Sequence, residues 1–267
     1  MVAASATRDD RVARTASSTI SAPPAVSSDR YRFSFEKVAA DYERARPPYI
    51  DAAVDWALER LGLREGSRVL DLAAGTGKLT RQLVARGLHV VAVEPGEEMR
   101  TVLEHELPGV EALAGRAEKI PLRDASVDGV TVGQAFHWFE TEKALAEMHR
   151  VLRPRGGFAL LWNHFNQDDP LLGAVDELLR ARDPARRSRW RDRYDSQHFG
   201  ALEEKAFYEK RPMSLNQLAA WVASTSRVIS APAEEQMEID REVRRLAASH
   251  RGTVAIRTYV VAAARLS

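Results

Sequence analysis

The sequence predicts an α/β fold organised on a doubly wound, largely parallel sheet, and three observations carry that prediction. Apolar runs alternate with segments of helical period along most of the chain. The first clear run, Arg68–Leu72, passes through a turn of small residues straight into a helix. The second, Leu88–Glu94, is continuously apolar until its final acid, the pattern of a strand buried on both faces of a parallel sheet. A chain of 267 residues, 45% of them hydrophobic, fits one α/β domain with an insertion better than two independent domains.

Residues 1–30 are rich in Ala, Ser, Thr and Pro with scattered Arg and show no apolar period, so they read as a disordered tail ahead of a domain over 31–267. Asp9, Asp10 and the Pro23-Pro24 pair argue against a transit peptide. Aromatic Phe33, Phe35 and Tyr42 and basic Arg44 and Arg46 follow, up to Pro47-Pro48. Ile50, Ala53, Val54, Ala57, Leu58 and Leu61 then mark one helical face closed by Gly62. The first strand buries Val69, Leu70 and Leu72; its turn, Ala73 to Gly77, leads to a helix burying Leu79, Leu83 and Val84.

After the second strand, Pro95 is expected to open a short helix through His105, and Val110–Ala114 reads as a third strand. Ser126–Gly133 supplies the fourth. Thr141–Leu152 is a helix stopped by Pro154 and Gly156-Gly157, and Phe158–Trp162 is the fifth strand. Leu171, Leu172, Val175, Leu178 and Leu179 give another helical face. Phe207–Pro212 is a sixth strand, the helix around Leu215, Leu218, Ala219 and Trp221 follows, and Glu234–His250 is a charged helix burying Met237, Ile239, Val243 and Leu246. Val254–Ala264 is the last strand.

The turn after the first strand lets a ligand approach the backbone, and the following helix start offers N–H groups to a polar group. It is not a phosphate-cradling P-loop, because Leu72 and Leu79 occupy the places around Gly77 and Lys78 where a glycine and a Ser or Thr are required. It meets two of the three demands of a dinucleotide fingerprint; Thr80 stands where Gly or Ala is wanted. Glu94, 23 residues beyond Asp71, is placed to accept hydrogen bonds from both hydroxyls of a ribose. Its bland alternative is a solvated carboxylate at a strand end.

These residues resemble class I S-adenosylmethionine-dependent methyltransferases. The motifs are Asp71-Leu-Ala-Ala-Gly-Thr-Gly77, Val93-Glu94-Pro95, Gly115 to Leu122, Gln134 to Phe139 and Arg150 to Gly157, in the family's order. The resemblance is closest to the small-molecule branch that includes trans-aconitate and ubiquinone/menaquinone-type methyltransferases, strong from Phe33 to about Asn163. It implies a Rossmann-like sheet of seven strands, the last antiparallel, with a helical substrate cap over about 165–205. It also implies S-adenosyl-L-methionine as cofactor and S-adenosyl-L-homocysteine as product.

The cofactor-binding residues it implies are Tyr42, Arg46, Asp71, Ala73, Gly75, Gly77, Glu94, Pro95, Ala117, Glu118 and Gln134. Ala73 departs from the glycine the family often has. Substrate contacts fall on Phe35, His137, Trp138 and Trp221. Three aromatics and a polar pair at the end of the fourth strand suit a donor sulfonium and an organic acceptor. His137 is the candidate general base, with a hydrogen-bonded structural role as the alternative.

Seven arginines lie between Arg180 and Arg193, diluted by Asp183 and Asp192. They read either as a solvated face or as one or two guanidinium groups forking onto a substrate carboxylate or phosphate. A net charge of +1 gives no bulk argument for nucleic acid. The absence of cysteine removes disulfides and thiolate metal chemistry, and no metal-ligand cluster is visible. No apolar run is long enough to span a bilayer and no apolar leader is present, so the expected compartment is the cytoplasm and the expected state a monomer or homodimer. The expected function is methyl transfer to a small-molecule acceptor. The alternatives are a catalytically silent S-adenosylmethionine- or S-adenosylhomocysteine-binding protein and a Rossmann-type oxidoreductase; Thr80 and the lack of a second dinucleotide-binding half after residue 160 argue against the oxidoreductase.

Overall fold

A computed structural model of the chain describes residues 45–182, 190–194, 197–248, 250 and 252–266, with the side chains of 192 and 193 excepted. The tail over residues 1–30, the site candidates Phe35 and Tyr42, and Arg186, Arg187 and Arg189 lie outside the described residues.

Helix α1 (Asp51–Arg60) buries Ala53, Val54, Ala57 and Leu58, one stripe of helical period, and ends before Gly62. Strand β1 (Arg68–Leu72) is followed by α2 (Lys78–Val84), β2 (His89–Val93), α3 (Glu97–Glu106), the short β3 (Glu111–Leu113) and β4 (Val127–Gly133). A 3-10 turn, Phe136–Trp138, precedes α4 (Thr141–Val151) and β5 (Leu152–His164). Then come α5 (Pro170–Ala181), a second 3-10 turn at Trp190–Arg193, β6 (Glu203–Pro212), α6 (Leu215–Ala223), α7 (Ser226–Ile229), α8 (Ala233–Ala247) and β7 (Thr253–Ala264).

The seven strands form one sheet in the order β3-β2-β1-β4-β5-β7-β6. β1 to β5 run parallel, and β7 pairs antiparallel with both β5 and β6. Alternate residues of β5 feed two cores. Ala159 and Leu161 pack with α1, α5, α6 and α8, whereas Phe158, Leu160 and Trp162 pack with Met148, Phe136 and Trp190. Because β1 and β4 are neighbours while the chain leaves β1 toward β2 and β3, a crevice opens beyond the carboxyl ends of the central strands, the usual ligand position in such sheets.

Four expectations are corrected. β5 begins at Leu152 rather than Phe158, because Val127 pairs with Leu152 and the register then shifts across Pro154 to Gly156 before Gly129 meets Gly157. α3 starts at Glu97, two residues after Pro95, because the Gly96 N–H donates to the Glu94 carboxylate (2.9 Å). Val84 is exposed at the margin of its helix stripe. Met237 is exposed too: α8 buries Ile239, Val243 and Ala247, and a residue two positions before Ile239 points to the opposite side.

Candidate active site

The turn after β1 is fastened to the end of β2. The Ala74 N–H donates to the Val93 carbonyl (3.2 Å) and the Gly75 N–H to Glu94 Oε2 (2.9 Å), while Gly96 N–H takes Glu94 Oε1 (2.9 Å). Glu94 is therefore locked in one orientation at the strand end with its carboxylate against the turn. A carboxylate oxygen can accept more than one donor. Ala73 (φ 55°) and Gly75 (φ 59°) both adopt the left-handed conformation, which costs alanine about 1 kcal/mol and glycine little.

Asp71 sits behind this turn, fully buried. Thr80 Oγ1 donates to its Oδ2 (2.6 Å) and Thr131 Oγ1 to its Oδ1 (3.1 Å). Burial nevertheless pushes its carboxyl up to about 6, with the threonine hydrogen bonds opposing and the Glu94 charge adding. The folded protein thus holds this proton more tightly than the unfolded chain. Stability contributed by Asp71 is greatest below the ordinary carboxylate range and falls as pH rises to about 6. Urea titrations of the wild type and Asp71→Asn from pH 4 to 7 should show the wild type losing stability relative to the variant across that window; parallel profiles would show that Asp71 does not titrate there.

Loop 115–118 is pressed against the end of β2. A side chain at Gly115 would meet Pro121 Cδ at 2.6 Å and Val93 Cγ1 at 2.9 Å. The Glu147–Arg150 pair on α4 anchors the loop's far end: Glu147 accepts from Ile120 N–H (2.8 Å), and Arg150 donates to the carbonyls of Ile120 (2.9 Å) and Leu122 (2.8 Å). Ala117 is buried, and Glu118 Oε1 accepts the Glu140 N–H (3.0 Å).

At the end of β4 the chain turns sharply. Gln134 is left-handed (φ 62°), its N–H donates to the Leu161 carbonyl (2.8 Å) and its Nε2 to the Asn163 carbonyl (3.0 Å). Asn163 in turn accepts from Thr258 Oγ1 (2.6 Å) and donates to the Pro47 carbonyl (3.0 Å), tying the segment that enters α1 to the sheet. Arg46, on that segment, donates to Ser224 Oγ (3.2 Å) and the Ser224 carbonyl (3.0 Å) at the end of α6. His137 lies 4.6 Å, ring to ring, from Trp138, and the Trp162 indole N–H faces its Nδ1 at 3.5 Å, a long contact.

These groups border one cavity of about 830 Å³. Its inner half is walled by Ala73, Gly75, Glu94, Pro95 and Met99 together with Ala117, Glu118 and Gln134. Its outer half is aromatic and basic, with His137, Trp138, Trp162, Trp190, Trp221 and Tyr259 beside Arg180, Arg191 and Arg227, while Arg46 borders the inner half together with Ala73, Gly75 and Gln134. Of the residues expected in the site, Asp71 reaches only a neighbouring recess of about 40 Å³, and Gly77 reaches neither space. Gly77 instead caps α2 at φ 88° against Leu103 and Leu107 of α3's end. Sequence reasoning missed His164, Phe165, Asp176 and Tyr259, because they come together only through the pairing of β5 with β7 and the packing of α5 against that edge.

Strand order, the antiparallel β7 and the cavity at the carboxyl ends of β1, β2 and β4 define the class: a class I methyltransferase. A family model described as a methyltransferase domain matches residues 70–160. An uncharacterized methyltransferase of Mycobacterium tuberculosis is 43% identical over 222 residues, covering 81% of this chain and 86% of that protein. An uncharacterized methyltransferase-like protein of Schizosaccharomyces pombe is 36% identical over 219 residues, covering 80% of this chain and 86% of that protein. The ubiquinone/menaquinone biosynthesis C-methyltransferase of Rubrivivax gelatinosus is 33% identical over a shorter span, 49% of this chain and 55% of that one. Among solved structures, a chain from Anaeromyxobacter dehalogenans described as a type II methyltransferase superposes with a TM-score of 0.61, 25% identical, covering 82% and 97%. The phosphoethanolamine N-methyltransferase 2 of Haemonchus contortus, in complex with phosphomonomethylethanolamine and S-adenosylhomocysteine, gives 0.54 at 15% identity, covering 89% and 60%. The chain belongs to the methyltransferase family. Among the described residues no helix is long and apolar enough to cross a membrane.

Proposed function

We propose that the chain transfers a methyl group from S-adenosylmethionine to a small organic acceptor, with the donor in the inner half of the cavity and the acceptor in the outer half. The observation that carries this is Glu94, a carboxylate held by two backbone N–H groups at the end of β2 and open to a cavity large enough for both reactants. The residues present fit the donor. Glu94 can accept from the two ribose hydroxyls, Glu118 from an adenine amine, and the small side chains at Ala73 and Gly75 admit the methionine end beside Gln134 and Arg46. Pro95, Met99 and Ala117 supply apolar contact on the adenine side, and Gly77 and Asp71 support the turn from behind.

Bound S-adenosylmethionine supplies a methyl already activated on a sulfonium. The protein's share is to align the acceptor, to exclude water and to face that cation with aromatic rings such as Trp138 and Trp162. His137 stands at the boundary between the halves, where it can take a proton from a phenol, amine or carbon acid. A carboxylate acceptor would need no base and would leave His137 a positioning role.

Incubation with methyl-labelled S-adenosylmethionine and a panel of phenols, amines, carbon acids and carboxylates should yield labelled product and an equal amount of S-adenosylhomocysteine. His137→Ala should lower turnover by at least about a hundredfold with donor affinity unchanged; undiminished turnover would remove it as a base. Donor binding with no transfer to any member of the panel would favour a silent binding protein.

A further inference from the structure

The segment that enters α1 borders the cavity through Arg46, and the adjoining recess of about 40 Å³ through Arg46, Pro47 and Tyr49. Its chemistry limits how it can be held. Pro47 and Pro48 have no N–H to offer, so only their carbonyls can be fastened. Asn163 of β5 fastens them: its Nδ2 donates to the Pro47 carbonyl (3.0 Å) and to the Pro48 carbonyl (3.3 Å). The backbone carbonyl of the same residue accepts from Nε2 of Gln134, on the turn that ends β4 (3.0 Å). One residue thus joins two walls of the inner half, and it borders both the cavity and the recess itself.

The Asn163 amide has one workable orientation. The proline carbonyls can only accept, which turns Nδ2 toward them and leaves Oδ1 facing Thr258, the residue directly across in the antiparallel β5–β7 register. The Ile50 N–H donates to Thr258 Oγ1 (3.1 Å), so the hydroxyl gives its own hydrogen to Asn163 Oδ1 (2.6 Å). Thr258 is fully buried, and loss of its oxygen would leave the Ile50 N–H without this acceptor and the Asn163 amide without its stop. We propose, resting on the methyltransferase reading above, that Asn163 and Thr258 are positioning residues for the methionine end of the donor. Thr258 sets the amide, and the amide with its own backbone carbonyl holds the Arg46 segment and Gln134 at the separation that admits the donor's amino-acid group. The last strand of the sheet thereby shapes a pocket otherwise built from the first half of the chain.

The test titrates the full chain calorimetrically with two ligands: S-adenosylhomocysteine, which carries the amino-acid end, and 5′-methylthioadenosine, which lacks it. Thr258→Val exchanges the hydroxyl for a methyl of similar size, and Asn163→Leu removes the clasp itself. Each should weaken S-adenosylhomocysteine about fivefold or more and leave 5′-methylthioadenosine within about twofold of the wild type, as expected when a buried hydrogen-bond partner is lost at one end of the ligand only. Thr258→Ser keeps the hydroxyl and should restore S-adenosylhomocysteine affinity. Thr258→Val deletes a single buried oxygen, so it reports even where Asn163→Leu fails to fold. Equal losses for the two ligands would mark general support of the fold and overturn the proposal, as would an unchanged affinity for both. Failure of the wild type to bind S-adenosylhomocysteine would instead strike the reading on which the proposal rests.

Discussion

Glu94→Ala is expected to weaken S-adenosylmethionine binding by about 1 to 3 kcal/mol, roughly five- to 150-fold, the usual cost of removing a charged hydrogen-bond partner from a buried polar cluster. Two effects act together. The variant removes an acceptor for the ribose, and it unpairs the Gly75 and Gly96 N–H groups that fasten the β1 turn to β2. Glu94→Gln separates them, because it retains one acceptor oxygen for a turn N–H but presents an amide donor where the second oxygen stood. An intermediate loss for the glutamine variant, measured calorimetrically, is the expected outcome. Unchanged affinity for Glu94→Ala would take this residue out of the donor site.

Phe136→Ala should destabilise the fold by about 3 to 5 kcal/mol, the range for deleting a large aromatic from a packed core. The ring is fully buried, edge-on to Phe139 (5.4 Å) and Trp190 (5.3 Å) and parallel to Phe158 (6.4 Å). It opens the 3-10 turn that carries His137 and Trp138, and it packs edge-on against Trp190, which lines the outer half of the cavity. The same variant should therefore lose acceptor affinity more than donor affinity. Urea unfolding checks the first effect, and a loss below about 1 kcal/mol would mean that the cluster collapses into the space.

How far the sequence discloses this molecule follows from the range over which each feature is determined. β1, its turn, β2 and β4 are legible because burial on both faces makes them apolar runs, and because local chemistry ends them: Ala73 to Gly77 after β1, and Glu94 after β2. The start of β5 is not legible, since Pro154 and Gly156 read as a stop, whereas the sheet absorbs them as an irregularity between Leu152 and Gly157. Met237 misleads because its helix turns its apolar stripe about Ile239 and Val243 instead. The inner half of the cavity comes from consecutive motifs and is largely predicted, although Asp71 and Gly77 stand behind the turn. The outer half is assembled from β5, β7, α5 and the α6–α7 corner. No spacing in the sequence announces that Tyr259 lies across from Trp162.

Calorimetric titration of the purified protein with S-adenosylmethionine, S-adenosylhomocysteine, NAD and NADP tests the central claim most directly. The account predicts one-to-one binding of the first two, reduced in Glu94→Ala, and no binding of either nicotinamide nucleotide. Binding of NAD or NADP in place of the adenosyl compounds, or binding of none of the four, would contradict it.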